Sequence, residues 1–342
     1  MKALVFHGGA LVVAAALAIG VWTKDESTSK QVASAQVEIW GGSPDQIELI
    51  SFDAPARKVR LEAKKDEQGR YYVASVEKES SKPAMPPHHP AVDGGAAEPD
   101  APEPEKKRET QRFIAVKQAD DLANKLAPLM AVRTVGKIEG GRAEEFGLDK
   151  PDGTLKVKIG GKENALVIGA ATGGQERYAK LLSTGVVYAV PGDIAQSMLA
   201  AESKLLERAF HGFDDVEVTR VKISKGGKSR EAVRPADKKT GWADSANPGK
   251  LDETIGNYMT KVNGLKVLEY IEKPSAPLRP EDAVVRVDFF GGMKPLGFIE
   301  LYKVPGEKGN EYLARSEQAR WYVKVLSSLG EPVEQDLSGV LK

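Results

Sequence analysis

Gly226-Gly227-Lys228-Ser229 carries the glycines, the cation and the hydroxyl with which a phosphate-binding loop ends. Such a loop needs another glycine five positions before Gly227, and that position holds Lys222. The stretch also separates two strand-like runs, whereas phosphate capture uses the N–H groups at the start of a helix. It reads as a hairpin turn. His88 and His89 could take a metal, but they stand between prolines with no fixed third ligand. His211 precedes Gly212-Phe213 at a boundary between two units, and His7 lies near the start of an apolar run. A polar residue within such a run can be functional, yet near its start it can also reach the interface. Neither a nucleophile elbow, a HExxH pair nor an EF-hand loop is present. Carboxylates are many, but no pair stands in the apolar context that a raised pKa requires. Tyr72, Tyr178, Tyr188, Trp242, Trp321 and Tyr322 read as sheet-face and core packing rather than a sugar platform. The residue types thus nominate no catalytic residue, no cofactor-binding residue, no metal ligand and no cofactor.

One charged, glycine-rich cluster remains: FGLDKPD, residues 146–152. Gly147 after a short helical turn supplies a left-handed stop, and Pro151 prevents the helix from resuming. Asp152-Gly153 favours a tight turn into a strand, and Gly160-Gly161 divides two apolar alternations as a hairpin does. The cluster reads as punctuation between elements.

The elements around these residues follow from composition and pattern. Lys+Arg and Asp+Glu both number 49, so the formal net charge is zero, and nucleic acid is not expected as a partner. The chain has no cysteine, which excludes disulfides, thiolate chemistry and cysteine-type zinc sites. Residues 3–22 contain no charge, long enough to cross a hydrocarbon layer of about 30 Å as a helix. The best small-residue cleavage site, Ala33-Ser34-Ala35, lies far beyond that run across charged residues, so an uncleaved anchor is expected. From Glu77 to Glu109, proline, alanine and acidic residues dominate, a composition that cannot bury enough apolar surface to order itself.

The remainder repeats. Leu122, Leu126, Leu129, Val132, Val135 and Ile138 form an apolar stripe that Ile255, Met259, Val262, Leu265, Leu268 and Ile271 reproduce at constant offset. A strand pair precedes each stripe, with Gln46–Leu49 matching Asp215–Val218 and with Tyr71-Tyr72 and Trp242 late in the second strands. Alternating strands follow each, and after the first unit a helix starts near Asp193 and runs to Arg208. The expected class is α+β: an N-terminal transmembrane helix, then two tandem β-β-α-β-β-β-β units with antiparallel sheets. The boundaries are an anchor over 1–23, a linker over 24–43, a first unit over 44–210 with a disordered insertion at 76–110, a second unit over 211–337 and a tail over 338–342.

GLDKP before a strand, then IGGKENALVIG, ERYAKL and VVYAV, resembles the bacterial domain of unknown function 4340. FDDVEVTRVKI, residues 213–223, fits the same pattern, and the resemblance extends over roughly residues 40–335 outside the insertion. The second unit departs from it, with Pro277-Leu278-Arg279-Pro280 where the first has GLDKP. The resemblance implies a single-pass protein of the cytoplasmic (inner) membrane with its C-terminal part in the periplasm. It also implies association with ABC transporters of the gliding-motility auxiliary type, and it assigns no catalytic residue. The expected function is a non-enzymatic, membrane-anchored auxiliary or adaptor module whose partners are the membrane and an envelope protein such as an ABC transporter subunit. The alternatives are an envelope hydrolase acting on glycan or peptide, and a sugar- or lipid-binding module with a groove between the units.

Overall fold

Alternation governs most of this chain. Leu155, Val157 and Ile159 are buried on one side of their strand, while Thr154, Lys156 and Lys158 stand half-buried on the other. The computed structural model describes residues 36–81, 106–138, 141–235, 241–274, 277–306 and 309–342. In the first half the elements are β1 (Val37–Trp40), β2 (Ile47–Ala54), β3 (Arg57–Asp66), β4 (Gly69–Ser81), β5 (Lys106–Ala115), α1 (Lys117–Leu126), β6 (Leu129–Ala131), β7 (Arg133–Lys137), β8 (Gly153–Ile159), β9 (Lys162–Ala171), β10 (Glu176–Leu181), β11 (Val186–Pro191), α2 (Gly192–Leu199) and α3 (Ala201–Lys204). In the second half they are β12 (Arg220–Lys225), β13 (Lys228–Val233), β14 (Ala243–Asp244), α4 (Glu253–Asn263), β15 (Val267–Ile271), β16 (Val285–Gly291), β17 (Lys294–Gly306), β18 (Gly309–Ser316), β19 (Tyr322–Val325) and α5 (Ser327–Val340).

The strands form three antiparallel sheets. β1 and β6 make a small one, and each half builds a large one. The first large sheet runs β5-β4-β3-β2-β8-β9-β10-β11-β7, and the second runs β14-β13-β12-β16-β17-β18-β19-β15. Apart from β5 the two orders correspond strand for strand. Each half places its first long helix, α1 or α4, at the same point of the sequence order. α4 begins where Asp252 accepts hydrogen bonds from the Thr254 and Ile255 N–H groups, at 2.9 and 3.2 Å, and it buries Ile255, Tyr258, Met259 and Val262. α1 buries Ala119, Leu122, Ala123 and Leu126, and the Leu126 carbonyl accepts the Trp40 indole N–H at 2.8 Å.

The expected fold class is corrected on several counts. The described protein is mostly β-sheet with few, short helices, not an even α+β mixture. The apolar stripes are helical only at their starts. Pro128 lies two residues past the end of α1, where the chain turns extended into β6 and β7, and beyond Gly264 the second stripe becomes β15. Each unit therefore carries a strand after its helix that the β-β-α-β-β-β-β pattern lacks, and a third strand, β4 or β14, before it. Tyr71-Tyr72 open that third strand, and Trp242 immediately precedes its counterpart. The expected match of Gln46 with Asp215 is also displaced. Ser43 N–H donates to Gln46 Oε1 at 3.2 Å and Asp214 N–H donates to Glu217 Oε1 at 2.9 Å, so Gln46 corresponds to Glu217.

The helix expected from Asp193 to Arg208 breaks at Ala200, whose φ of −112° and ψ of 32° leave the helical region. The tail at 338–342 begins inside α5, which buries Gly330, Val333, Leu337 and Val340 despite Pro332 within it. Strand β1 occupies part of the expected linker. Strand pairing from Tyr72↔Ala115 out to Ser81↔Lys106 occupies both ends of the expected insertion, whose residues 82–105 lie outside the described residues. No described helix is long and apolar enough to cross a membrane, and the run over residues 3–22, expected as the transmembrane helix, lies outside the described residues.

Candidate functional site

The FGLDKPD cluster has a complete backbone account. Gly147 closes the turn Glu144–Phe146 at φ 62°, its N–H donating to the Glu144 carbonyl at 3.0 Å. Leu148 N–H donates to Ala143 O at 2.9 Å, and Asp152 N–H donates to Ile168 O at 2.9 Å. The Asp152 carboxylate forms an ion pair with Arg177, whose Nη1 also donates to Gly169 O at 3.0 Å. Asp149 and Lys150 point no charge inward; both are exposed. Gly226 and Gly227, at φ 55° and 81°, form the two-residue turn between β12 and β13, with no helix after them. His7, His88 and His89 lie outside the described residues.

The aromatics singled out in the sequence are spread over both sheets. Tyr178 meets Phe146 edge-to-face at 4.8 Å, Tyr72 is fully buried, and Trp242 lies under the Arg234 guanidinium at 4.7 Å. Among the described residues no group of three or more His, Cys, Asp or Glu side chains is placed to hold a metal ion.

The side chain with the most chemical potential is one the sequence marks only as a boundary. His211 sits where the chain passes from the first unit to the second. Its ring stacks on Phe213 at 4.7 Å and meets Phe289 edge-on at 4.5 Å. His211 Nδ1 lies 2.9 Å from Glu317 Oε1, and Glu317 Oε2 accepts the Phe298 N–H at 2.8 Å. Glu317 is 8% exposed and packs over Gly297, where a Cβ would come within 2.3 Å of the carboxyl carbon. A carboxylate held in this way orients the imidazole and fixes which nitrogen faces outward.

His211 lines a pocket of about 270 Å3 between the 208–218 segment, the end of α4 and the β16–β17 pair. Phe210, Val218, Val262, Leu265, Phe289 and Ile299, all buried, form the apolar part of its wall, and Arg208, His211, Asp215, Asn263 and Lys266 the polar part. No residue of this lining carries a hydroxyl or thiol, and its one carboxylate, Asp215, is paired with Arg234. A larger, open cleft of about 730 Å3 lies beside α2. Its charged residues are already engaged: Glu176 accepts from Thr172 at 2.7 Å, Arg177 pairs with Asp152, and Asp193 pairs with Lys125 at 2.5 Å.

The junction beside the His211 pocket is locked by the turn between β18 and β19. Arg320 holds φ at 60°, a backbone region that costs a residue with a Cβ about 1–2 kcal/mol. Its guanidinium forks onto Asp66 of the first unit at 2.7 and 3.1 Å and lies over the Tyr71 ring at 4.3 Å. Trp321 packs edge-on to Tyr270 at 6.5 Å, and Tyr270 Oη–H donates to the Glu207 carbonyl at 2.9 Å. Glu207 N–H in turn donates to Ile114 O at 2.9 Å, which ties the connecting segment to β5.

Partial burial acts to raise the Asp66 pKa, but the Arg320 hydrogen bond and charge, with the Gln68 and Gly69 N–H groups, bring it below the usual carboxylate value. A depressed folded-state pKa stabilises above the unfolded value and loses that contribution as pH falls through the folded one. Inter-unit stability is therefore expected to drop below about pH 4 in the wild type, less so in Asp66→Asn. Acid titration of the intrinsic tryptophan fluorescence, to which Trp321 contributes, in the two proteins checks this; superimposable curves would remove Asp66 from the lock.

No curated protein and no solved structure matches the chain. Residues 117–283, from the start of α1 to the segment before β16, match the model of the family described as Domain of unknown function (DUF4340), and over that stretch the chain is similar to this family, in keeping with the resemblance drawn from the sequence.

Proposed function

We propose that this protein is a non-enzymatic extracytoplasmic adaptor, held at the inner membrane by its N-terminal apolar stretch, that serves as an auxiliary component of an ABC-type transport or gliding-motility-like envelope complex. The observation that carries the adaptor reading is β7. It is an outer strand of the nine-stranded sheet, paired on one side with β11, and Arg133, Thr134 and Lys137 are exposed on it. The opposite outer strand, β5, faces the second unit, where Arg112 pairs with Glu272. Among the described residues one edge of the first sheet therefore carries no further strand, and a partner could add one there. Tethering would raise the effective concentration of that edge for a membrane partner.

The test is photo-crosslinking in cells from a probe placed at Arg133, Thr134 or Lys137, with a second set of probes on the outward side of β3 at Lys58 and Arg60. Probes on β7 are expected to capture a membrane transport subunit, and those on β3 are not. Equal capture from both positions, or none from β7, would remove the edge-strand adaptor. In the same membranes the full chain is expected to resist carbonate extraction, since burial of about 20 apolar residues outweighs surface electrostatics.

A further inference from the structure

We infer that the pocket beside His211 binds a single-chain amphipathic anion: an apolar chain carrying one carboxylate or phosphate head. This inference stands independently of the adaptor reading. The walls supply the apolar part, with Phe289, Leu265 and Ile299 among the buried side chains that face the space. The charges at its mouth supply the head-group preference. Arg208 and Lys266 line the pocket, both are exposed, and neither is in an ion pair among the described residues. The acidic lining residue, Asp215, is taken by Arg234, which reaches both its carboxylate oxygens at 2.7 Å. The lining is left with two cations in no side-chain ion pair among the described residues, the Asn263 amide, and a histidine whose Nδ1 side is committed to Glu317. The C-terminal end of α4 brings a partial negative charge to the same mouth, and Lys266, two residues past its cap Gly264, offsets it.

The shape and charge select against the obvious competitors. A sugar could use the polar groups at the mouth, Arg208, Asn263 and Lys266, but would set its hydroxyls against the buried aliphatic and aromatic carbon of the inner wall. A neutral lipid would leave both cations without a partner. A free phosphate would use the cations but gain nothing from the apolar walls. A chain with an anionic head satisfies both halves of the site.

Calorimetric titration of the purified full chain with decanoate, decyl phosphate, decanol and inorganic phosphate tests the inference. The reference is the double variant Arg208→Gln/Lys266→Gln, which reports any partitioning unrelated to the pocket. Both changes are on exposed side chains, and an unchanged unfolding midpoint establishes that the variant is folded. At least one of the two anionic chains is expected to bind at one site per chain and to weaken about tenfold or more in the double variant. Decanol is expected to bind the two proteins alike and more weakly, and inorganic phosphate to bind neither. The tighter of decanoate and decyl phosphate then distinguishes a free fatty acid from a phospholipid-type head as the source. Equal binding of decanoate and decanol, or anion binding that survives loss of both cations, would overturn the site. So would the absence of saturable binding by either anionic chain.

Discussion

Glu317→Ala is expected to destabilise the protein by about 2 kcal/mol, because it leaves the part-buried Phe298 N–H without its partner and frees the His211 ring. The Phe298 N–H and His211 Nδ1 both meet this one carboxylate, at 2.8 and 2.9 Å. A hydrogen bond to a charged group contributes about 1.5–3 kcal/mol, and an unsatisfied buried N–H costs about 1–3 kcal/mol. Glu317→Gln should cost only about 1 kcal/mol, since the amide oxygen can still accept from Phe298 and the imidazole can switch tautomer to accept the amide N–H.

Gly297 supplies the control. A Cβ there would stand 2.3 Å from the Glu317 carboxyl carbon, so Gly297→Ala alone must displace the carboxylate and lose the same two bonds. In the Gly297→Ala/Glu317→Ala protein the two costs should overlap, not add. Denaturant unfolding of the four proteins closes the cycle. Additive costs, or a Glu317→Ala cost below about 0.5 kcal/mol, would show that the carboxylate holds nothing in place.

This pairing explains what the sequence withheld. His211 and Glu317 are 106 residues apart, and neither has a neighbour that suggests the other. The only local sign was Phe213 two residues on, which stacks on the imidazole. The turns, by contrast, were legible because their chemistry is local. Gly160-Gly161 and Gly226-Gly227 each take positive φ at the centre of a two-residue hairpin, as the alternations on both sides require. The strands of β8 and β16 were legible for the same reason: period-2 burial is written in consecutive residues.

The stripes misled because three- and four-residue apolar steps persist across a helix end. Leu129 is buried in a strand and Leu126 in a helix, and the spacing between them does not change when the backbone does. Pro128 was the available signal, since proline disfavours helix at the residue before it. α5 was hidden in the opposite way. Gly330 and Pro332 argue locally against a helix, yet Gly330 is where the Tyr312 ring packs, and a Cβ there would approach it within 2.5 Å. Tertiary packing, which no window of sequence contains, decided that element.

Gly147→Val is expected to cost about 3 kcal/mol, and Asp149→Asn and Lys150→Gln no more than about 0.5 kcal/mol each. Two separate penalties act at Gly147. Its φ of 62° is a left-handed conformation that a β-branched residue adopts only at a cost of about 1–2 kcal/mol or more. A Cβ at this position would also lie 2.7 Å from the Ala170 backbone nitrogen and 2.8 Å from its methyl, and backbone cannot move aside as a flexible side chain can. Gly147→Ala therefore carries both terms in reduced form and should fall between the extremes. Asp149 and Lys150 are exposed, and their removal disturbs none of the backbone bonds that close the turn. Asp152 is the charged member that should matter, because its carboxylate pairs with the half-buried Arg177 beside the Gly169 carbonyl. The paired measurement is thermal unfolding of each purified variant and complementation of a deletion strain. If the cluster is only punctuation, complementation follows abundance, with Gly147→Val worst. Loss of complementation by Asp149→Asn or Lys150→Gln at normal unfolding temperature and abundance would make the exposed charges a contact site, and the partner would then be sought at this turn instead of at β7.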